Sequence, residues 1–243
     1  MRPLFFVLLI VISFFSDAVA QYHVDISPLD SNVYLYTSYG DVGEYKGIDA
    51  NAVVVISGND ALLFDTPWDE VQAEELLTWI KDSLKKNVLL SIITHAHVDR
   101  IGSIAVMHKH GIPTWCYKKT VTEATRLNYP VPQHVFYASD TTFVCGNIEV
   151  IAYYPGAGHT TDNIVLYVLS KKLLYGGCFI KSGYSQTIGN IKDADVKAWP
   201  GSLEKMQQRF KQTGIKTVIP GHGGWDRRDA IENTARLLKT GSK

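Results

Sequence analysis

The feature that most constrains this chain is the segment THAHVDR, residues 94–100, which directly follows an apolar run at residues 88–93. The apolar run is typical of a buried β-strand. His95, His97 and Asp99 then follow, where the strand gives way to a loop. Neutral imidazole and carboxylate groups are the usual protein ligands of a catalytic divalent metal ion, above all zinc. The segment predicts a metal site at a strand end, although alone it also fits a polar loop with two incidental histidines.

The N-terminal segment, residues 1–20, has the features of a secretory signal peptide. Arg2 provides a positive start, residues 4–15 are almost wholly apolar, and residues 18–20, Ala-Val-Ala, form a small-x-small cleavage site. The apolar run is too short for a membrane-spanning helix, and no later stretch is long enough either. We therefore expect the mature chain to be residues 21–243, exported to the periplasm and without a membrane span.

The charge of the chain is balanced, with 24 Lys and Arg against 24 Asp and Glu. Removal of the signal peptide takes away one charge of each sign, Arg2 and Asp17, so the mature chain is also neutral. Neither nucleic acid nor an anionic membrane is indicated as a partner. The mature chain contains no Pro/Ser/Gly-rich linker and is long enough for one large core. A single domain is therefore expected, and a monomer.

Hydrophobic periodicity predicts strands and helices in both halves of the chain, so the fold class is α/β or α+β. Asp69 is a plausible N-cap for the first helix. A Gly-rich segment with exposed-looking apolar residues, residues 39–47, joins the first two strands. The predicted strands cover residues 32–37, 52–57, 61–65, 88–93, 113–117, 142–144, 148–154, 163–169, 172–175 and 216–219, and the predicted helices cover residues 69–86, 103–110, 120–127, 195–210 and 226–239.

Three further candidate ligands share the setting of the first motif. His159, Cys178 and His222 each follow an apolar strand and lie beside glycines, which permit sharp turns and close approach. Loops at one edge of a sheet can converge on a site. The three cysteines leave at least one thiol free or metal-bound; Cys116 and Cys145 are expected to pack in strands, and whether they pair stays open. Six ligands are more than one catalytic zinc ion needs, and they fit two.

The order of these motifs resembles that of the metallo-β-lactamases. The resemblance is to the class B branch with a three-histidine zinc and an Asp/Cys/His zinc. Arg100 lies where most other hydrolases of the superfamily have a second histidine, Cys178 where they have a bridging aspartate, and His95 where the mono-zinc branch has asparagine. The resemblance implies a four-layer αβ/βα sandwich that binds two zinc ions. Its motifs are His95-x-His97-x-Asp99-Arg100, Gly158-His159, Gly177-Cys178 and Gly221-His222.

The resemblance also implies a role for each residue. The implied reaction is hydrolysis of the lactam amide of penicillins, cephalosporins and carbapenems by a zinc-bound hydroxide, which would confer antibiotic resistance. Asp99 and Asn190 would be catalytic, and residues 39–47 would be a mobile flap over the substrate. The implied roles are His95, His97 and His159 for the first zinc; Asp99, Cys178 and His222 for the second; Arg100 beneath the second; Lys181 for the substrate carboxylate; Asn190 for the lactam carbonyl; and Val42, Tyr45 and Trp68 for further substrate contacts.

Three other interpretations fit parts of the sequence. Serine β-lactamases carry S-x-x-K, S-D-N and K-T-G motifs, with full or partial matches at residues 83–86, 161–163 and 239–241. However, Ser83 lies at the end of an amphipathic helix, and the last match follows a helix near the C-terminus. A zinc hydrolase of lactones, thioesters or phosphodiesters is the second alternative, and Arg100, Cys178 and Lys181 argue against it. A non-enzymatic zinc-binding protein is the third, and it would show no turnover.

Overall fold

The computed structural model describes residues 22–241, so the predicted signal peptide lies outside the described residues. No helix in the described part is long and apolar enough to cross a membrane. The strands are β1 (Asp25–Asp30), β2 (Val33–Val42), β3 (Tyr45–Ser57), β4 (Asp60–Phe64), β5 (Asn87–Ile93), β6 (Thr114–Tyr117), β7 (His134–Phe136), β8 (Asp140–Cys145), β9 (Ile148–Tyr153), β10 (Val165–Val168), β11 (Leu173–Gly177) and β12 (Thr217–Pro220). The helices are α1 (Glu70–Asp82), α2 (Val98–Ile101), α3 (Ile104–Lys109), α4 (Lys118–Arg126), α5 (Trp199–Phe210) and α6 (Ala230–Thr240).

The strands form two sheets. The first has the order β1-β2-β3-β4-β5-β6-β7, and the second has the order β12-β11-β10-β9-β8. The first four strands of the larger sheet are antiparallel, whereas β4, β5, β6 and β7 are parallel. In the smaller sheet only β11 and β12 are parallel. Parallel neighbours need a long crossover connection, and α1, α2 with α3, α4 and α5 provide these crossovers along the chain.

The two sheets pack face to face, and helices cover their outer faces. Phe64 of β4 and Tyr175 of β11 meet between the sheets, with ring centroids 5.8 Å apart. Because side chains alternate along a strand, Leu174 points the other way and packs in the cluster formed with α5 and α6. Trp79 of α1 packs edge-on against Tyr34 of β2. The predicted αβ/βα sandwich of four layers is confirmed.

Several element boundaries differ from the prediction. The first helix ends at Asp82 rather than residue 86, although Asp69 caps its start as predicted, accepting a hydrogen bond from the Gln72 backbone at 2.9 Å. The helix predicted from residue 195 begins at Trp199, because Pro200 suits a first helical turn but not a helix interior. The last predicted helix begins at Ala230 rather than residue 226.

The segment at residues 39–47 is a β-hairpin rather than a loop between strands. The strands β2 and β3 extend to Val42 and from Tyr45, and these two residues pair directly across the turn. Gly43 occupies the turn with φ +60°, a conformation that favours glycine. The strands could not be predicted from hydrophobic alternation here, because this end of the hairpin is polar, Gly-rich and not packed against an apolar face.

Candidate metal centre

Three histidines from two loops meet beside the end of β5. His95 follows that strand, His97 immediately precedes α2, and His159 lies between β9 and β10. One ring nitrogen from each lies within 4.8 Å of the others. Their ring centroids are 4.8–5.1 Å apart and their planes are nearly perpendicular, at 76–87°. The three rings therefore surround a common point rather than stack on one another.

The chemistry of this trio fits a cation. Nδ1 of His97 and Nε2 of His159 face each other at 3.2 Å. Nε2 of His95 is buried and has no hydrogen-bond partner among the described residues. Burial lowers the pKa of His95 and of His159 well below the usual value, which favours the neutral imidazole that a metal requires. A buried, unpaired nitrogen is costly unless such a partner satisfies it.

A second set of ligand-type atoms lies next to the first. Cys178 Sγ is 3.3 Å from Asp99 Oδ2 and 3.2 Å from His222 Nε2, and the remaining Asp99–His222 distance is 3.3 Å. Asp99 and Cys178 also form a close group with His95, so the two sets adjoin. Burial alone would lower the pKa of His222, but Cys178 and Asp99 raise it to about 10. A divalent cation would take the place of that proton.

Arg100 lies beneath the second set and is fully buried. Burial alone would raise the pKa of Asp99, but the Arg100 guanidinium and His222 hold that pKa well below its usual value. The guanidinium thus supports an anionic site from below, and its two terminal nitrogens donate hydrogen bonds to their neighbours. Its contacts are Asp99 Oδ2 at 2.8 Å, the carbonyl oxygens of Asn51 at 2.6 Å and Gly221 at 2.7 Å, Tyr175 Oη at 2.7 Å and Cys178 Sγ at 3.2 Å.

Comparison with known proteins identifies the family of this chain. The sequence profile of the metallo-beta-lactamase superfamily matches residues 46–239. This chain belongs to the metallo-β-lactamase superfamily. It is 35% identical over 215 residues to the metallo-beta-lactamase type 2 of Bacteroides fragilis, a match that covers 88% of this chain and 85% of the relative. The predictions of the family and of a hydrolase of this type are both confirmed.

Solved structures of the family superpose on the chain. A metallo-beta-lactamase from Pontibacter korlensis has a TM-score of 0.83 and 35% identity, covering 89% of this chain and 99% of that one. A metallo-beta-lactamase from Pseudomonas aeruginosa, solved in a mono-zinc form, has a TM-score of 0.82 and 30% identity, covering 90% and 96%. The fold prediction is therefore confirmed by experimentally determined relatives as well as by the layers of this chain.

Sequence reasoning missed Asp65, which fixes the strand end that carries the metallo-β-lactamase motif. Its Oδ1 accepts from the Thr94 backbone at 2.6 Å and its Oδ2 from the Thr94 hydroxyl at 2.9 Å. Tyr175 donates to Oδ2 at 2.6 Å. Burial raises the pKa of Asp65 to about 6, although Arg100 lowers it. The only sequence signal was a carboxylate at the end of an apolar strand, a setting it shares with the recognised ligands.

Sequence reasoning also missed Asp193. Its Oδ2 lies 3.1 Å from Nε2 of His97, while Oδ1 accepts from Arg126 at 3.0 Å. A carboxylate on the far nitrogen of a metal-ligating histidine fixes its tautomer and ring orientation. With Asp193 on Nε2, Nδ1 of His97 is left to face the other two histidines. No sequence pattern marks Asp193 as a partner of His97, because Asp193 lies in a polar segment without hydrophobic periodicity.

Lys181 and Asn190 lie on neighbouring segments after Cys178. Lys181 Nζ is 5.5 Å from the centre of the Trp199 ring, and burial lowers its pKa. Among the described residues it makes no hydrogen bond or ion pair through Nζ. A Cβ at Gly189 would lie 3.9 Å from that atom, so the Asn190 segment passes beside the lysine. Asn190 is exposed, and its Oδ1 accepts from the Lys192 backbone at 3.0 Å.

The three further residues predicted to contact substrate differ in exposure. Val42 and Tyr45, at the hairpin tip, are 45% and 68% exposed, whereas Trp68 is only 8% exposed. Trp68 packs directly against Gly40 of β2, where any side chain would collide with the indole. The indole therefore supports the base of the hairpin, and the exposed apolar surface is confined to the tip. Contact of all three residues with substrate stays a prediction.

Proposed function

We propose that this protein is a zinc-dependent β-lactamase that hydrolyses the lactam amide of penicillins, cephalosporins and carbapenems. The observation that carries the proposal is the adjacency of a three-histidine set and an Asp/Cys/His set in one buried centre. The Bacteroides fragilis relative is named a metallo-β-lactamase. Such an activity would give its host resistance to these antibiotics.

The side chains of the centre would have distinct metal-binding and catalytic roles. His95, His97 and His159 would hold one zinc ion, and Asp99, Cys178 and His222 would hold the other. Zinc ions held there would supply Lewis acidity and activate water as a nucleophile. Asp99 would act in catalysis by presenting its carboxylate beside the reacting water, and Arg100 keeps that carboxylate ionised.

Substrate binding would fall to residues beyond the ligands. The Lys181 ammonium, which makes no hydrogen bond or ion pair within the described residues, would pair with the substrate carboxylate as a compact point charge. Asn190 would donate a hydrogen bond to the lactam carbonyl, and the hairpin would close over the substrate. Its exposed apolar tip, Val42 and Tyr45, would then gain cover from the substrate, while Trp68 supports the hairpin base.

The serine-dependent alternative receives no support from the fold. Ser83 is an exposed C-cap residue at the end of α1. Lys239 lies in the last turn of α6, not on a strand. Neither position offers the enclosed, base-supported nucleophile that acylation needs.

Hydrolysis of a penicillin, a cephalosporin and a carbapenem, with and without a chelator, tests the proposal. We expect turnover that the chelator abolishes and added zinc restores. Ser83→Ala is the matched control and should hydrolyse all three at the native rate. Zinc-loaded protein that turns over none of them would refute the proposal, as would a Ser83→Ala enzyme without activity.

The proposed metal content is two zinc ions per chain. Elemental analysis of protein purified with zinc should approach two. The Pseudomonas aeruginosa relative was solved in a mono-zinc form, so the measurement must include saturating zinc. A firm plateau at one ion under saturation would contradict the paired assignment while leaving the hydrolase proposal in place.

We further propose that residues 21–243 form a single periplasmic domain that acts as a monomer. The support is the signal-like composition of residues 1–20 and the continuous core across both sheets. Periplasmic extracts should contain a chain that begins at Gln21 by mass spectrometry. Light scattering should give the mass of one chain; a dimer mass, or an intact N-terminus, would contradict the respective part.

A further inference from the structure

A chain of polar contacts connects α4 to both of the loops that carry the three histidines. Glu123 accepts from the Thr161 hydroxyl at 2.9 Å and from Arg126 Nε at 2.7 Å. Arg126 also donates to Asp193 Oδ1 at 3.0 Å, and Asp193 Oδ2 contacts His97 at 3.1 Å. We name Glu123, Arg126 and Asp193 the α4 bridge. At one end the bridge contacts Thr161, two residues after His159. At the other end it contacts His97.

The α4 bridge includes two residues of a helix that packs against the motif segment. Ala124, on the same helix, packs in the apolar cluster with Ile93 and Ala96, which flank His95 on the motif segment. The bridge borders a cleft of about 200 Å³ beside His97. Arg126 can therefore transmit the position of α4 to the Asp193 segment, which has no helix or strand of its own between β11 and α5.

We propose that Arg126 is a positioning residue for the three-histidine site, acting through Asp193 on the imidazole of His97. The two oxygens of Asp193 have different partners, so Arg126 fixes the rotation of the carboxylate that orients the ring. Arg126 contacts two carboxylates at once, with Nε on Glu123 and a terminal nitrogen on Asp193. A lysine ammonium cannot reproduce that planar geometry.

The proposal rests on the three-histidine metal site of the proposed function, but its test does not need turnover. Cobalt(II) is the probe, because ligand-field bands report the histidine site while a thiolate charge-transfer band reports the Cys178 site. Full-length mature protein is titrated with cobalt(II) against a competing chelator. The variants are Arg126→Ala and Arg126→Lys.

We expect Arg126→Ala to weaken cobalt binding at the histidine site by about three- to tenfold. This loss is smaller than, or at most equal to, the smallest loss expected when a residue that contacts the ligand directly is changed, because Arg126 is half exposed. Binding at the Cys178 site should not change. Arg126→Lys should recover only part of the affinity. Arg209→Ala is the matched control, since Arg209 also pairs with an aspartate from a helix but belongs to α5.

Three results would overturn the proposal. The first is that Arg126→Ala and Arg209→Ala bind cobalt equally well at the histidine site. The second is that Arg126→Ala weakens both metal sites equally. The third is that Arg126→Ala loses more thermal stability than Arg209→Ala does. The last two would show a merely structural role. Failure of the proposed function looks different, because the native protein itself would then show no histidine-site cobalt bands or no lactam turnover.

Discussion

The two halves of the candidate metal centre are supported in opposite ways. The Asp/Cys/His half is supported by Arg100, which is fully buried and contacts Asp99 and Cys178 directly. The three-histidine half is supported at His97 by Asp193, whose side chain is 22% exposed, and by the half-exposed Arg126. One support is part of the core, and the other is part of the surface.

Support for a metal-ligand side chain and support for the fold therefore need not come from the same residues. Removing one partner of a buried charge network leaves another charge buried and unpaired, which is strongly destabilising. Ion pairs near the surface contribute little to stability because water screens them and can replace them. Changes around Arg100 should therefore affect both fold and metal, and changes around Asp193 should affect the metal alone.

The largest expected effect is that of Arg100→Ala. Asp99 and Asp65 would lose their buried partner, so the free energy of unfolding should fall by about 3–5 kcal/mol. Urea unfolding of the metal-free protein measures it. Arg209→Ala, which breaks an exposed pair, should cost at most about 1 kcal/mol. Similar losses in the two variants would remove the contrast between buried and surface support.

The next effect is that of Cys178→Ser. Loss of the soft thiolate should weaken the second zinc ion by more than the roughly 10- to 100-fold that a changed supporting residue costs. One tightly held zinc ion should remain by elemental analysis, and activity should fall. Cys116→Ser, at a buried position away from both sets, should keep two. Metal loss in Cys116→Ser but not in Cys178→Ser would show that the wrong cysteine was assigned.

A third prediction separates substrate binding from both metal supports. Lys181→Ala should raise KM by about ten- to a hundredfold, the value of a charged hydrogen bond, with kcat nearly unchanged. Lys181→Arg should recover only part of the loss. Zinc content should stay at two, since no ligand changes. Steady-state kinetics on one carbapenem decides; an unchanged KM would show that the carboxylate is held elsewhere.

The smallest effect is expected for Asp193→Asn. The amide keeps the shape but loses the charge that holds His97, so first-site zinc affinity should fall by about tenfold. The free energy of unfolding should change by less than about 1 kcal/mol, because the carboxylate is partly exposed. Chelator competition and urea unfolding measure the two quantities. A destabilisation as large as that of Arg100→Ala would make the two halves equivalent after all.

Local sequence patterns predicted the central elements well because buried strands and helices carry apolar residues in recognisable runs or at regular spacing. The apolar runs before His95 and His222 are β5 and β12, and the cap at Asp69 is where the sequence placed it. The strand β1 was missed because its residues are mostly exposed and polar, and β7 was missed because its three residues are too few to show an alternation. Residues 98–101, expected as loop, form the single turn α2.

The amino-acid order alone predicted the candidate groups of the site: ligand-type residues at strand ends, a lysine after Cys178, and a motif order that resembles one family. How those side chains are supported depends on the tertiary packing. Asp193 meets His97 across 96 residues, and Arg100 meets Gly221 across 121. Periodicity records whether a residue faces the core, because that depends on its near neighbours. Which distant carboxylate or carbonyl it meets depends on how two sheets and their helices pack, and no local pattern encodes that.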